Sequence, residues 1–380
     1  MNAETVFSNA RLVGADEIIE GSLLARGGTI AAIASGASSL PQALDMDGDY
    51  LLPGLVELHT DNFERHLMPR PKVRWPEFPA LMAHDAEIAA AGITTVYDAL
   101  GVGDMDEDAL RGQSMGAVLD VIGQAARGGL LRAEHRLHVR CELPAANARA
   151  LFEPFEHHPL LGLLSLMDHT PGQRQWTNID QARIYYTGKK GWSEEKFQWS
   201  IARGKELQAL HAGAHRRYFL EVARRRGVPL ASHDDTTPGH VAEAKAQGIA
   251  ISEFPTRREA ARAARGHGLA IVMGAPNVVR GGSHSGNIAA IDLAADDLLD
   301  ALSSDYVPAS LLPAAFMLAR DAGWSLPRAI ATVSKNPARA AGLADRGDIA
   351  PGQRADLVRV RVVNGQPVVR SVWRAGGRVS

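Results

Sequence analysis

Through the middle of the chain, short apolar runs rich in Val, Ile and Leu alternate with amphipathic or Ala-rich stretches. Strands separated by helices leave this pattern. Eight such runs predict strands at LLPGLVELH (51–59), GITTVYDAL (92–100), HRLHVRCEL (135–143), LLGLLSLMDH (160–169), VPLASHD (228–234), GIAISEF (248–254), LAIVMGAPN (269–277) and DALSSDY (300–306). Eight strands with intervening helices predict an α/β fold built on a (β/α)8 TIM-type barrel over residues 51–344.

The two ends read differently. Residues 1–50 hold TVFSNARLV and GSLLARGGTIAAI, short alternating runs broken by Gly and Asp. Residues 345–380 repeat that texture in GDIAPGQRADLVRVRVVNGQPVVRSVWRAGG. Both predict small β-hairpins, and together they predict one composite β-sandwich domain made from both termini. The link over 171–227 is longer than an ordinary β-α connection and carries Tyr185, Tyr186, Lys189, Lys190, Trp192 and Trp199. It is expected to be an insertion over the active face.

Composition narrows the class. With 380 residues, 46% hydrophobic and 22% charged, the chain is an ordinary globular protein with ample core. A net charge of −2 argues against wholesale nucleic-acid binding, so an anionic substrate must be met by local basic clusters. Cys141 is the only cysteine, which rules out an intrachain disulfide or a cysteine-only metal site and fits a reducing cytoplasm. The start MNAETVFSNARLVGADEI lacks the pattern of a signal peptide, and no apolar run reaches the ~18 residues expected of a membrane span. A cytoplasmic protein acting on a small molecule, with no membrane partner, is expected; a homo-oligomer is left open.

Barrel enzymes place their chemistry at the C-terminal ends of the strands. Those ends carry His59 and Asp61, Glu142, Asp168 and His169, His233 with Asp234 and Asp235, and Asp305. Imidazoles and carboxylates suit zinc and similar divalent ions, and a convergent ring of them predicts one or two metals. The expected ligands are His59, Asp61, Glu142, His169 and His233, with Glu142 bridging and Asp305 free to act as a base. The plainer reading of Asp234 and Asp235 is a helix cap in DDTTPGH, and that of Asp168 is a partner orienting His169.

LPGLVELHTD with a distant IAPGQRADLV resembles the amidohydrolase superfamily, whose members combine a metal-bearing barrel with a β-sandwich from both termini. More closely, HTDNFERHLMPRPKVRWP (59–76), CELP (141–144), SLMDHTPGQRQ (165–175), SHDDTT (232–237) and GAPNVVRGGSHSGN (274–287) resemble its phosphonate-utilisation branch. That resemblance implies a diphosphatase that opens a ribose 5-triphosphate to a 5-phosphate and pyrophosphate. Two departures stand out from the commonest superfamily pattern: HxD replaces HxH, and no lysine occupies the position of the usual carboxylated bridge. Zinc is the expected ion, with manganese also compatible.

A triphosphate needs several cations. Arg70, Lys72 and Arg74 follow the first strand, Arg174 follows His169, Lys189 and Lys190 sit in the insertion, and Arg280 and His284 follow the seventh strand. All are candidate substrate contacts. Hydrolysis of a C–N bond by the same metal site, or a non-catalytic metal-stabilised scaffold, are the readings that compete.

Overall fold

A computed structural model describes residues 4–70, 73–104, 111–174, 179–189, 191–283 and 286–380, without the side chains of 111–114, 181, 182, 185 and 189. Five strands open the chain: β1 (Glu4–Val13), β2 (Ile18–Arg26), β3 (Thr29–Ser35), β4 (Leu44–Asp45) and β5 (Tyr50–Pro53). Eight barrel strands follow: β6 (Leu55–Thr60), β7 (Ile93–Val102), β8 (Glu134–Glu142), β9 (Leu161–Met167), β10 (Leu230–His233), β11 (Ile251–Glu253), β12 (Ala270–Gly274) and β13 (Ala301–Ser303). β14 (Leu357–Val363), β15 (Gln366–Arg374) and β16 (Gly377–Arg378) end it.

Each of the eight predicted barrel strands is present, and β6 to β13 hydrogen-bond in sequential order, all parallel. Closure falls to Asp305, just beyond β13. Its N–H donates to His59 O at 3.0 Å, and its carbonyl accepts from Asp61 N–H at 3.1 Å and the Thr60 hydroxyl at 2.8 Å. The first and eighth strands are thereby joined at the rim where His59 ends.

Burial on both faces explains the apolar runs. Val56, Leu58, Tyr97, Leu163, Ala231, Ile251, Val272 and Ala301 fill the barrel interior, while a larger cluster packs the outer faces of the strands against the helices. The strands also bury polar side chains, among them Glu57, Asp98 and His138.

The terminal strands bond into a second eight-stranded sheet, ordered β16-β15-β14-β5-β1-β2-β3 with β4 on β1. Its core holds Phe7 against Trp373, rings edge to face at 4.9 Å. The β2–β3 hairpin returns to the other end of the chain, where Ile30 N–H donates to Gln353 O and Gly352 N–H to Ile30 O.

Gly54 is the single residue between β5 and β6. A Cβ there would sit 2.3 Å from Thr94 Oγ1 and 2.8 Å from Asp356 Cβ, so only glycine lets the sheet approach the barrel this closely. Below the barrel, Glu134 accepts from Arg346 at 2.7 Å and from Arg354, tying β8 to the segment before β14.

The long link after β9 has two roles. Its last helix, Gly213–Arg226, packs Phe219, Val222 and Ala223 into the outer core as an ordinary barrel helix. The preceding turns bring Ile184 and Gly188 to the barrel mouth. Among the described residues, no helix is long and apolar enough to cross a membrane.

Candidate active site

The rim at the C-terminal ends of the strands opens into a cleft of about 1200 Å³. His59, Asp61, His169, His233 and Asp305 all line it, although they come from four strands and span almost 250 positions. Alternation along a strand aims every second side chain inward, and the turn just past each strand delivers the rest.

His59 and His233 share one carboxylate. Glu253, the last residue of β11, places Oε1 2.7 Å from His59 Nδ1 and Oε2 2.8 Å from His233 Nδ1. The two rings are consequently stacked, 21° from parallel with centroids 5.8 Å apart. With each Nδ1 held from below, Nε2 is left to the cleft. Burial alone would raise the Glu253 carboxyl, but His59, His138 and His233 hold it well below the usual carboxylate range. Burial also opposes a charge on His59, and Glu253 outweighs it, so that ring is shifted upward.

His138 stands beside them, its ring edge-on to His59 at 5.0 Å. Its Nδ1 lies 2.9 Å from Leu58 O and so carries the proton. Burial pushes its pKa down to about 3. The neutral ring keeps a lone pair on Nε2, which is buried and has no hydrogen-bond partner among the described residues.

Across the rim, Glu142 engages His169 through both oxygens, accepting from its backbone N–H at 3.0 Å and meeting Nδ1 at 2.5 Å. His169 Nε2 and His233 Nε2 lie 3.9 and 3.6 Å from Asp234 Oδ2. Asp234 adopts φ 56°, a left-handed turn that swings its carboxylate back over the end of β10.

Among the described residues three compact donor groups have their nitrogens and oxygens within 4.8 Å of one another; His59–His138–Glu253 and His169–His233–Asp234 stand at this rim, and His84–Asp98–His135 lies outside the cleft. The two at the rim fit a divalent cation. A neutral imidazole with an unpaired Nε2 is a metal donor, and carboxylates on the Nδ1 atoms of His59, His169 and His233 orient the rings as metal-bound histidines require.

The candidates named from sequence divide by environment. Asp61 lines the cleft outside both groups, its Oδ2 3.9 Å from Arg140 Nη1. Glu142, expected to bridge two ions, is occupied with His169. Asp305 lines the cleft, and its carboxyl is shifted upward, first by burial and then by Asp61, with His59 and Arg140 opposing. Arg280 opens onto the cleft beside Gly282 and Ser283.

Arg174 instead turns inward. Its Nη1 donates to Asp235 Oδ1 at 2.6 Å and His233 O at 3.0 Å, which braces the β10 turn. Arg74 pairs with Glu77 at 2.6 Å, and Arg70 is exposed and forms an isolated antiparallel bridge with Val73. Lys72, Lys190 and His284, with the side chain of Lys189, lie outside the described residues. Asp168 accepts from Thr170 N–H and Gln208 and is not recorded on His169; the helix cap expected of Asp234 or Asp235 is Thr237.

Sequence reasoning missed His138, Arg140 and Glu253. His138 and Arg140 were legible, because counting back by twos from Glu142 puts both on its face of β8. Glu253 was a lone acid ending the apolar run GIAISE, the same signal that marked Glu142.

Residues 192–379 match the family model described as "Amidohydrolase family". Over 376 residues, 98% of this chain and 100% of the relative, the sequence is 47% identical to the alpha-D-ribose 1-methylphosphonate 5-triphosphate diphosphatase of Escherichia coli (strain K12). The chain belongs to the amidohydrolase family. Other amidohydrolase folds superpose over its whole length. A 5-methylcytosine deaminase from Klebsiella pneumoniae aligns with TM-score 0.67 and 15% identity, covering 99% of this chain and 98% of that one. An N-acetyl-D-glucosamine-6-phosphate deacetylase from Mycobacterium smegmatis aligns with TM-score 0.62 and 14% identity, covering 99% of each. At such identities the likeness concerns fold alone. Amidohydrolases are metal-dependent, and the two donor groups at the barrel rim are where this amidohydrolase has the chemistry to bind an ion.

Proposed function

We propose that this amidohydrolase hydrolyses alpha-D-ribose 1-methylphosphonate 5-triphosphate to the 5-phosphate and diphosphate, in the use of phosphonates as a phosphorus source. The observation that carries the reading is the 47% identity to a diphosphatase across essentially the full length of both chains. The cleft supports it, since Arg140 and Arg280 open onto the same space as the histidine ring. An uncharged amide would have little need for two guanidinium groups there.

His59, His138, His169 and His233 are the proposed metal holders, with Asp61 and Asp234 at the rim and Glu253 and Glu142 orienting the rings. When bound, a divalent ion, zinc or manganese, makes water acidic near neutral pH and offsets phosphoryl charge. Asp305 takes the proton of the attacking water, its backbone fixed by the His59 carbonyl and the Asp61 N–H. The water oxygen bonds to the α-phosphorus as the bond to the bridging oxygen breaks, and diphosphate leaves. Arg280 meets the departing phosphates at the exposed rim.

Incubating the metal-supplemented protein with the ribosyl triphosphate tests the reading directly. Stoichiometric release of inorganic diphosphate is expected. Its absence, with opening of cyclic amides in its place, overturns the assignment.

A further inference from the structure

One charged side chain lining the cleft has no hydrogen-bonded partner among the described residues. Arg140 lies on β8 between His138 and Glu142, and alternation aims it into the barrel mouth with them. Its side chain keeps 16% exposure. Nε is buried with no hydrogen-bond partner among the described residues, and the recorded ion pair, Nη1 to Asp61 Oδ2, spans 3.9 Å, beyond hydrogen-bond reach.

A guanidinium is always protonated and has five donors in a planar fork. Burying one without hydrogen bonds is costly, so the arrangement makes sense if an anion completes it. The other cleft arginine, Arg280, is exposed at the rim. Arg140 instead is largely buried and lines the cleft together with His59, His169 and Asp305.

We infer that Arg140 is a catalytic residue of this hydrolase: its guanidinium fork binds the non-bridging oxygens of the phosphoryl group under attack. This deepens the proposed function and rests on it. Charge on those oxygens is met by a fixed cation that needs no rearrangement as the bond to the leaving diphosphate breaks. Asp61, 3.9 Å away, sets the fork's direction without saturating its donors.

The test uses Arg140→Ala and Arg140→Lys in the full chain with metal supplied. Direct phosphoryl contact predicts that kcat falls about 100- to 1000-fold in Arg140→Ala and at least tenfold in Arg140→Lys. Metal bound per chain and melting temperature should match the parent, and added guanidinium ion should restore part of the Arg140→Ala rate. A second arm measures binding of ribose 5-phosphate, whose phosphate is the group under attack, to metal-stripped protein by calorimetry, with at least tenfold weaker binding expected in both variants. Parental kcat with intact metal content overturns the inference. So does a rate loss matched by metal loss, which would make Arg140 a support of the metal site. If Arg140→Ala does not fold, Arg140→Lys decides by the same criteria. If the parent binds ribose 5-phosphate but does not cleave the ribosyl triphosphate, the proposed function fails while the calorimetry still judges Arg140.

Discussion

The Glu253 carboxylate stands 2.7 Å from Nδ1 of His59, so the sixth barrel strand holds a ring that belongs to the first. The same carboxylate reaches His233 on the fifth strand at 2.8 Å. Three strands are thus coupled through one side chain, and the direction of two Nε2 atoms depends on it.

Replacing Glu253 with Gln leaves one amide to face two ring nitrogens, only one of which it can satisfy as an acceptor. Metal affinity is expected to fall about 10- to 100-fold. Competition against a chelator of known strength measures this, and an unchanged affinity would show that the rings are oriented by packing alone.

Asp305→Asn keeps the backbone bonds that close the barrel and removes the base. The expected result is a fall in kcat of roughly 10²- to 10⁴-fold with parental metal content. A variant that turns over at the parent's rate would remove Asp305 from the chemistry.

Arg280 sits at the exposed rim, so its contact with phosphate is screened and serves binding more than the reacting centre. Arg280→Ala is expected to raise KM about tenfold while kcat stays within threefold. Steady-state kinetics at two salt concentrations separate this from a change in chemistry, because the KM difference should shrink at high salt.

A buried chain of polar groups lies outside the cleft, between β7, β8 and the helix Glu77–Ala90. His135 Nδ1 lies 2.7 Å from Asp98 Oδ2 and its Nε2 3.2 Å from Asp85, while His84 Nε2 lies 2.8 Å from Asp98 Oδ1. Burial opposes a charge on His135, yet Asp98 and Asp85 raise its pKa to about 9. A raised folded pKa means that the stabilisation is full below the unfolded value near 6.5 and is lost as pH climbs through about 9. The unfolding free energy from urea titration should decline over that interval by an amount on the order of 1–3 kcal/mol. His135→Gln, which cannot titrate there, should be less stable at pH 6 and show a flatter profile; a parallel decline in both proteins would place the pH sensitivity elsewhere.

Glu134 joins Arg346 and Arg354 at the end of the barrel remote from the cleft. Removing its charge leaves two guanidinium groups facing each other, one of them with 6% exposure. Glu134→Gln is expected to cost about 1–3 kcal/mol in urea unfolding, discounted because the glutamate itself is partly exposed, with kcat unchanged.

The barrel was readable in advance because parallel strands buried on both faces leave continuous apolar runs, and all eight were visible as such. The rim residues followed from position: His59, His169, His233 and Asp305 were named from where a run stops. Less visible was what pairs with what. Arg174 resembled a phosphate contact beside His169, yet Asp235, sixty-one residues later, claims it. Glu142 was expected to bridge two ions, and its contact with His169 is one that nothing in the sequence shows. Glu253 and Arg140 carried a positional signal, at a strand end and two before Glu142, but nothing in the sequence shows which groups they face. Spacing within a strand survives in the sequence, whereas contacts across the mouth are fixed only by closure.

The junction at Gly54 has a consequence for how the molecule is made. β5, one residue before the barrel begins, finds its antiparallel neighbour in β14, with Pro53 opposite Leu357, roughly three hundred residues later. On a ribosome β5 can pair with β1 at once, whereas its other edge waits for β14 until the whole cylinder has emerged. Until then that edge of β5 has open amides, a template for pairing with the wrong chain. A nascent protein arrested before β14 should be the species that chaperones hold and that aggregates when they are scarce.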